Sequence, residues 1–201
     1  MRHLFKAIVV SGAALICSMT VADPASAAVI HGTQGSDNLS DTPNDDTISG
    51  FAGQDYLRGH AGDDGLYGGD DSDAAYGNSG NDRLDGGPGD DFLRGQDDYD
   101  TVMGDRGDDT GYGGPGDDTL FGGRSNDGIY GGKGNDQLTP GPGKDNSDGQ
   151  DGDDSFYIAS DGEPDTIVGG AGVDTVYLAG DKLDPLDTYI GVENFAAARQ
   201  H

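Results

Sequence analysis

The chain has no tryptophan, one cysteine and three methionines, and only 11 of its 201 residues are lysine or arginine. Set against 38 acidic residues, that shortage of base leaves a formal net charge of -27. Nucleic acids and anionic membrane surfaces carry the same sign and are excluded as partners. Cations are the complementary class. Hydrophobic residues are also scarce, at 32%, which argues against an ordinary apolar core in a chain long enough for one domain. Glutamate occurs only at Glu163 and Glu193, so nearly all the acid is aspartate, the short carboxylate that suits tight turns better than a solvating tail. Glycine, by contrast, is abundant at 38 residues. Composition alone is equally compatible with a disordered acidic chain.

The N-terminus joins the basic Met1-Arg2-His3-Leu4-Phe5-Lys6 to an apolar run from Ala7 to about Val21 and then to Ala25-Ser26-Ala27. This is the order of a secretory signal, with cleavage predicted after Ala27 and a secreted, extracellular product. A membrane anchor is the weaker reading, because a span needs about 20 apolar residues. Cys17 follows the bulky Ile16, which disfavours a lipidation site, and its removal with the leader leaves no disulfide to staple the remainder. Some other cross-link must hold so polar a chain.

From Gly32 to Tyr157 the sequence repeats every nine residues without a gap, giving fourteen units. The clearest copies run Gly86–Arg94, Gly113–Phe121, Gly131–Thr139 and Gly59–Tyr67. After an insertion at Ile158 and Ala159, two more follow, Ser160–Val168 and Gly169–Tyr177. Position six is aspartate in every unit: Asp37, Asp46, Asp55, Asp64, Asp73, Asp82, Asp91, Asp100, Asp109, Asp118, Asp127, Asp136, Asp145, Asp154, Asp165 and Asp174. Position eight is usually a large aliphatic residue, as at Leu39, Ile48, Leu57 and Leu66, and fails at Gly111 and Ser147. One inward side chain per unit is the signature of a coil.

The pattern resembles the haemolysin-type calcium-binding repeat of RTX proteins, Gly-Gly-x-Gly-x-Asp-x-U-x with U large and apolar, across nearly the whole chain after residue 27. The resemblance implies an all-β fold, a right-handed parallel β-roll or β-solenoid. Six residues of each unit make a turn, three make a strand, and two units make an 18-residue coil. Residues 28–157 would form the roll, with two further repeats and a C-terminal cap over 158–201. The implied cofactor is calcium, several ions per chain. It would be held by the position-six aspartates and by turns with glycine at positions one and four: Gly59 and Gly62, Gly77 and Gly80, Gly86 and Gly89, Gly104 and Gly107, Gly113 and Gly116, Gly131 and Gly134. Calcium takes six to eight oxygens, which backbone carbonyls and a short carboxylate can supply, and glycine admits the φ > 0 that such a turn uses.

Two units per coil would stack Asp37, Asp55, Asp73 and their successors on one edge and Asp46, Asp64, Asp82 and theirs on the other, about 4.8 Å apart. Carboxylates about 5 Å apart repel by roughly 0.8 kcal/mol even in water. Twelve such pairs reach roughly the whole stability of a typical domain, about 10 kcal/mol. The roll is therefore expected to fold only with calcium. Weaker sites are expected where position four is not glycine, in the turns ending at Asp46, Asp73, Asp100 and Asp127. Pro140 and Ser147 predict a break or hinge in the unit from Pro140 to Asp148.

Leu178, Leu183, Leu186, Tyr189, Ile190, Val192 and Phe195 predict an apolar C-terminal cap, since an open coil needs an end cover. Position nine should face outward, and on one side it reads Arg58, Tyr76, Arg94, Tyr112 and Tyr130 on successive rungs. Such a stripe could stack on a polysaccharide or other cell-surface partner; strand preference and ordinary cation-π packing explain it equally. His31 and His60 sit in no nucleophile or zinc motif, and the repeat accounts for the paired carboxylates, so no enzyme activity is expected. A free-standing calcium-binding protein is the first expectation, with a calcium-dependent adhesin or cell-envelope component as the alternative.

Overall fold

A computed structural model describes residues 8–9, 27–179 and 183–197. Within the leader-like segment only Ile8–Val9 is described, paired in parallel with Ile30 and His31. The rest of that segment, and the export reading built on it, lies outside the described residues.

Every described element is a strand, arranged in one sheet of eleven and one of nine. From Val29–His31 onward, successive strands alternate between the two sheets, and every pairing is parallel. Partners are 18 residues apart, as in Ile48↔Leu66 and Leu57↔Ala75, so two nine-residue units close one coil. Past the insertion at Ile158–Ala159 the offset widens to 20 in Ser147↔Ile167 and Phe156↔Val176. The fold is a parallel β-roll, as the repeat predicts.

Most strands are six residues long, for example Tyr56–Ala61 and Thr101–Arg106, rather than three. Pairing continues from positions seven to nine through positions two and three of the next unit, as in His60↔Asn78 and Ala61↔Ser79. The chain bends at position two while it pairs, with φ of 70° at His60 and 84° at Asn78. The true turn is confined to positions four to six.

Inside and outside alternate with the two-residue period of a strand. Asp55, Leu57 and Gly59 are buried while Tyr56 and Arg58 between them are exposed. Most units thus send three groups inward: an aspartate, an apolar residue and a glycine. The aliphatic column runs from Leu39 through Ile48, Leu57, Leu66, Ala75, Leu84 and Leu93 to Phe156, Ile167 and Val176. Ser147 occupies the same column between Ile129 and Ile167, and the ladder continues through it. No break occurs at the unit from Pro140, because its neighbours on both sides supply the pairing that proline and serine alone would not.

At the C-terminal end the expected cap consists of two more rungs. Thr188–Ile190 pairs with Thr166, Ile167 and Val168, and Asn194–Ala197 with the strand Thr175–Ala179. Tyr189 and Val192 pack against the core, and Leu178 is buried. Leu183, Leu186, Ile190 and Phe195 stay about half exposed, so the apolar cluster forms only in part. Phe195 still meets the Tyr189 ring edge-on at 5.3 Å.

Candidate metal centre

The position-six aspartates form two continuous ladders. In the first, the N–H of Asp37 donates to Asp55 Oδ1 at 2.7 Å, and the relay continues through Asp73, Asp91, Asp109, Asp127, Asp145 and Asp165. In the second, Asp46 donates to Asp64 Oδ1 at 2.8 Å, followed by Asp82, Asp100, Asp118, Asp136, Asp154 and Asp174. Both ladders extend into the C-terminal rungs. Asp165 donates to Asp187 Oδ1 at 3.0 Å, and Asp174 to Glu193 Oε2 at 2.8 Å. Sequence reasoning missed Asp187 and Glu193 because the turn before Asp187 is lengthened and the one before Glu193 shortened, which moves both out of the nine-residue frame.

In most of these carboxylates Oδ1 is therefore satisfied and Oδ2 is not. In thirteen of these aspartates, among them Asp55, Asp64, Asp109 and Asp154, Oδ2 is buried without a hydrogen-bond partner. Leaving a buried carboxylate oxygen unpaired is costly, so such a column demands a counter-charge. No basic side chain supplies it: among the described residues the one ion pair joins Arg83 and Asp85 at 3.6 Å.

The titration of these groups follows from the same geometry. Burial pushes the carboxyls up, against the opposing hydrogen bond from the backbone N–H of the preceding coil. Asp55, Asp73, Asp118, Asp127 and Asp154 reach about 6. Asp82, Asp91, Asp136, Asp145 and Asp165 reach about 7, and Asp64, Asp100 and Asp109 about 8. Neighbouring aspartates in the ladders add to the rise at Asp100 and Asp109.

The glycines divide into two kinds. At position four they provide the turn: Gly107 has φ of 123°, and a Cβ there would lie 1.8 Å from the carbonyl oxygen of Gly89. Gly62, Gly80, Gly89, Gly116 and Gly134 share the positive φ. At position one the expected reason was wrong, because Gly59, Gly77, Gly86, Gly104, Gly113 and Gly131 lack a positive φ. Glycine stands there because the carboxylate across the turn fills the space of its side chain. A Cβ on Gly77 would lie 2.1 Å from Asp82 Oδ2. Where position four is not glycine, Asp71, Asp98 and Ser125 still hold φ of 76°, 78° and 88°, so the turn survives.

The first turn on each edge differs. Thr33 Oγ1 donates to Asp37 Oδ2 at 2.9 Å, and Thr42 Oγ1 to Asp46 Oδ2 at 2.7 Å. At the other end of the first edge, glycine at position one gives way to Pro140 and Ile158, and Ile158 joins the core in register with Leu178. Both substitutions were visible in the sequence, but only coil-to-coil pairing shows that they fall on one edge.

A column of buried, unpartnered carboxylate oxygens in glycine turns fits a hard divalent cation. Four copies of the RTX calcium-binding nonapeptide repeat match residues 31–66, 67–102, 103–138 and 158–181. The chain belongs to the RTX calcium-binding repeat family. Each of the first three RTX copies spans two coils, and the gap between the third and fourth holds the unit with Pro140 and Ser147, which keeps the RTX register despite its sequence. No curated protein matches the chain.

Outside the metal centre, His60 Nε2 lies 2.8 Å from Ser40 Oγ. Burial and the Arg58 guanidinium lower the His60 pKa.

Proposed function

We propose that this is a secreted calcium-binding protein without enzyme activity, whose roll folds on binding several calcium ions. The observation that carries the reading is the pair of aspartate ladders with their orphaned Oδ2 atoms. Calcium held along each edge would supply the missing positive charge, and the binding free energy would then contribute to folding. Export rests on the leader-like sequence up to Ala27. Cutting there would free the Ala28 nitrogen, which already donates to Asp46 Oδ1, as a cation at the head of the second ladder.

The adhesin alternative gains little from the outward face. The stripe Arg58, Tyr76, Arg94, Tyr112 and Tyr130 lies on successive rungs. Its rings are occupied with each other: Tyr76 packs on Phe92 at 5.9 Å, Phe92 on Tyr112 at 5.7 Å, and Tyr112 stacks on Tyr130 at 4.8 Å. Arg94 covers the Tyr112 ring at 5.8 Å. Such contacts stabilise a sheet. No helix among the described residues is long and apolar enough to cross a membrane.

Equilibrium dialysis against calcium tests the proposal. Several ions per chain are expected, with magnesium unable to displace them at equal concentration; uptake of less than one calcium per chain would refute it.

A further inference from the structure

Position one of the first turn on the second edge is Asp41, where the turns that follow it on that edge have glycine. In the next of these, a Cβ on Gly59 would lie 2.5 Å from Asp64 Oδ2, so a side chain at position one is aimed at the ladder. At Asp41 that side chain exists and ends in a second carboxylate.

We propose that Asp41, Asp46 and Asp64 form a calcium site of their own at the head of the second ladder, built from three side-chain carboxylates. One oxygen from each lies within 4.8 Å of the others. Oxygens on opposite sides of a calcium ion, each at about 2.4 Å, are about 4.8 Å apart, so the spacing of each pair is compatible with one shared ion. Magnesium, at about 2.1 Å, calls for a tighter set. Both oxygens of Asp41 are enclosed and accept no hydrogen bond, and neither does Oδ2 of Asp64, a residue only 3% exposed. These unpartnered oxygens point to a missing cation independently of the clustering itself.

Asp46 is held in place for this role. Its Oδ2 accepts from the Thr42 N–H at 2.9 Å and from Thr42 Oγ1, which in turn accepts from Asn44 Nδ2 at 3.0 Å. Its Oδ1 accepts from the Ala28 nitrogen. Oδ2 is thereby filled by two donors, but Oδ1 accepts only one and keeps a lone pair for a metal. The first edge has no counterpart, because Gly32 stands at its position one, with a Cβ position 2.8 Å from Asp37 Oδ2.

The inference rests on the calcium reading of the roll for the identity of the ion, but not for its ligands. The test is calorimetric titration of the full chain with calcium, beside Asp41→Asn and Asp41→Gly. The second variant restores the glycine of the turns that follow on this edge and should fold wherever they do. The wild type should show one ion bound more tightly than the rest. Both variants should lose that phase, with affinity for that ion on the order of tenfold weaker, since ligand charge sets calcium affinity. Their circular dichroism in excess calcium should match the wild type. Identical titrations for all three chains would overturn the Asp41 site alone. Loss of all binding and of β signal in both variants would also overturn it, since Asp41 would then serve the fold and not a separate ion. No uptake by the wild type would overturn this site and the calcium reading together.

Discussion

Replacing Gly104 by alanine tests the link between the position-one glycines and the carboxylate ladder. The added Cβ would lie 2.3 Å from Asp109 Oδ2 and 2.3 Å from the carbonyl oxygen of Gly122. One of these is backbone, held in the next rung, so the carboxylate must give way. Turning it breaks the hydrogen bond that Asp91 N–H donates to Asp109 Oδ1 at 2.8 Å. Overpacking costs about 1 to 3 kcal/mol, and a hydrogen bond to a charged group about 1.5 to 3. The calcium-loaded protein should lose about 3 to 6 kcal/mol, or about 6 to 24 °C in Tm at about 2 to 4 °C per kcal/mol for a chain of this size. Gly111→Ala is the control, because the atoms nearest its Cβ would be side-chain carbons of Val102 at 3.2 Å, Ile129 at 3.7 Å and Leu120 at 3.9 Å. It should stay within about 1 kcal/mol of the parent, a gain in unfolded-chain entropy offsetting a close contact. Differential scanning calorimetry of the two variants in excess calcium decides the matter. Equal melting temperatures would refute the claim that the carboxylate fills the glycine's side-chain space.

Acid should substitute in part for calcium. The ladder carboxyls from Asp55 to Asp165 titrate at about 6 to 8 in the fold, against a usual value of 3.8, so between those limits the folded state binds more protons than the unfolded one. Their contribution to stability is fully present below about pH 4 and is lost as pH rises through 6 to 8. In chelator, β circular dichroism should therefore appear near pH 4 and vanish by pH 8; a signal that grows with rising pH would contradict the ladder's raised pKa values. Ser147→Ala should stabilise the calcium-loaded roll by about 1 kcal/mol, since it removes a buried hydroxyl with no partner. A lower Tm for this variant in calorimetry would show that the hydroxyl does have one.

Much of this architecture was legible in the sequence because a roll is nearly one-dimensional: each residue meets its equivalents one coil away, so a strict period gives register directly. The nine-residue frame placed Leu57 inside, Tyr76 outside and the aspartates on two edges. What escaped it were relations across a turn or across the end of the repeat. The vacancy at Gly104 depends on where Asp109 points, which no pattern of residue types states. Thr33 and Thr42 read as ordinary polar residues until their hydroxyls are seen on Asp37 and Asp46. Asp187 and Glu193 continue the ladders from irregular turns, where pairing and not spacing sets the register. The break predicted at Pro140 failed for the opposite reason, since local sequence weakness is overridden by ladder hydrogen bonds from two neighbouring coils.

The central claim is that calcium between the aspartate ladders is what folds the chain. It is tested most directly by far-UV circular dichroism of the protein freed of its leader, titrated with calcium at neutral pH beside magnesium at matched ionic strength. A cooperative rise in β signal specific to calcium, reversed by chelator, is predicted. The same β spectrum in excess chelator as in millimolar calcium would contradict the claim.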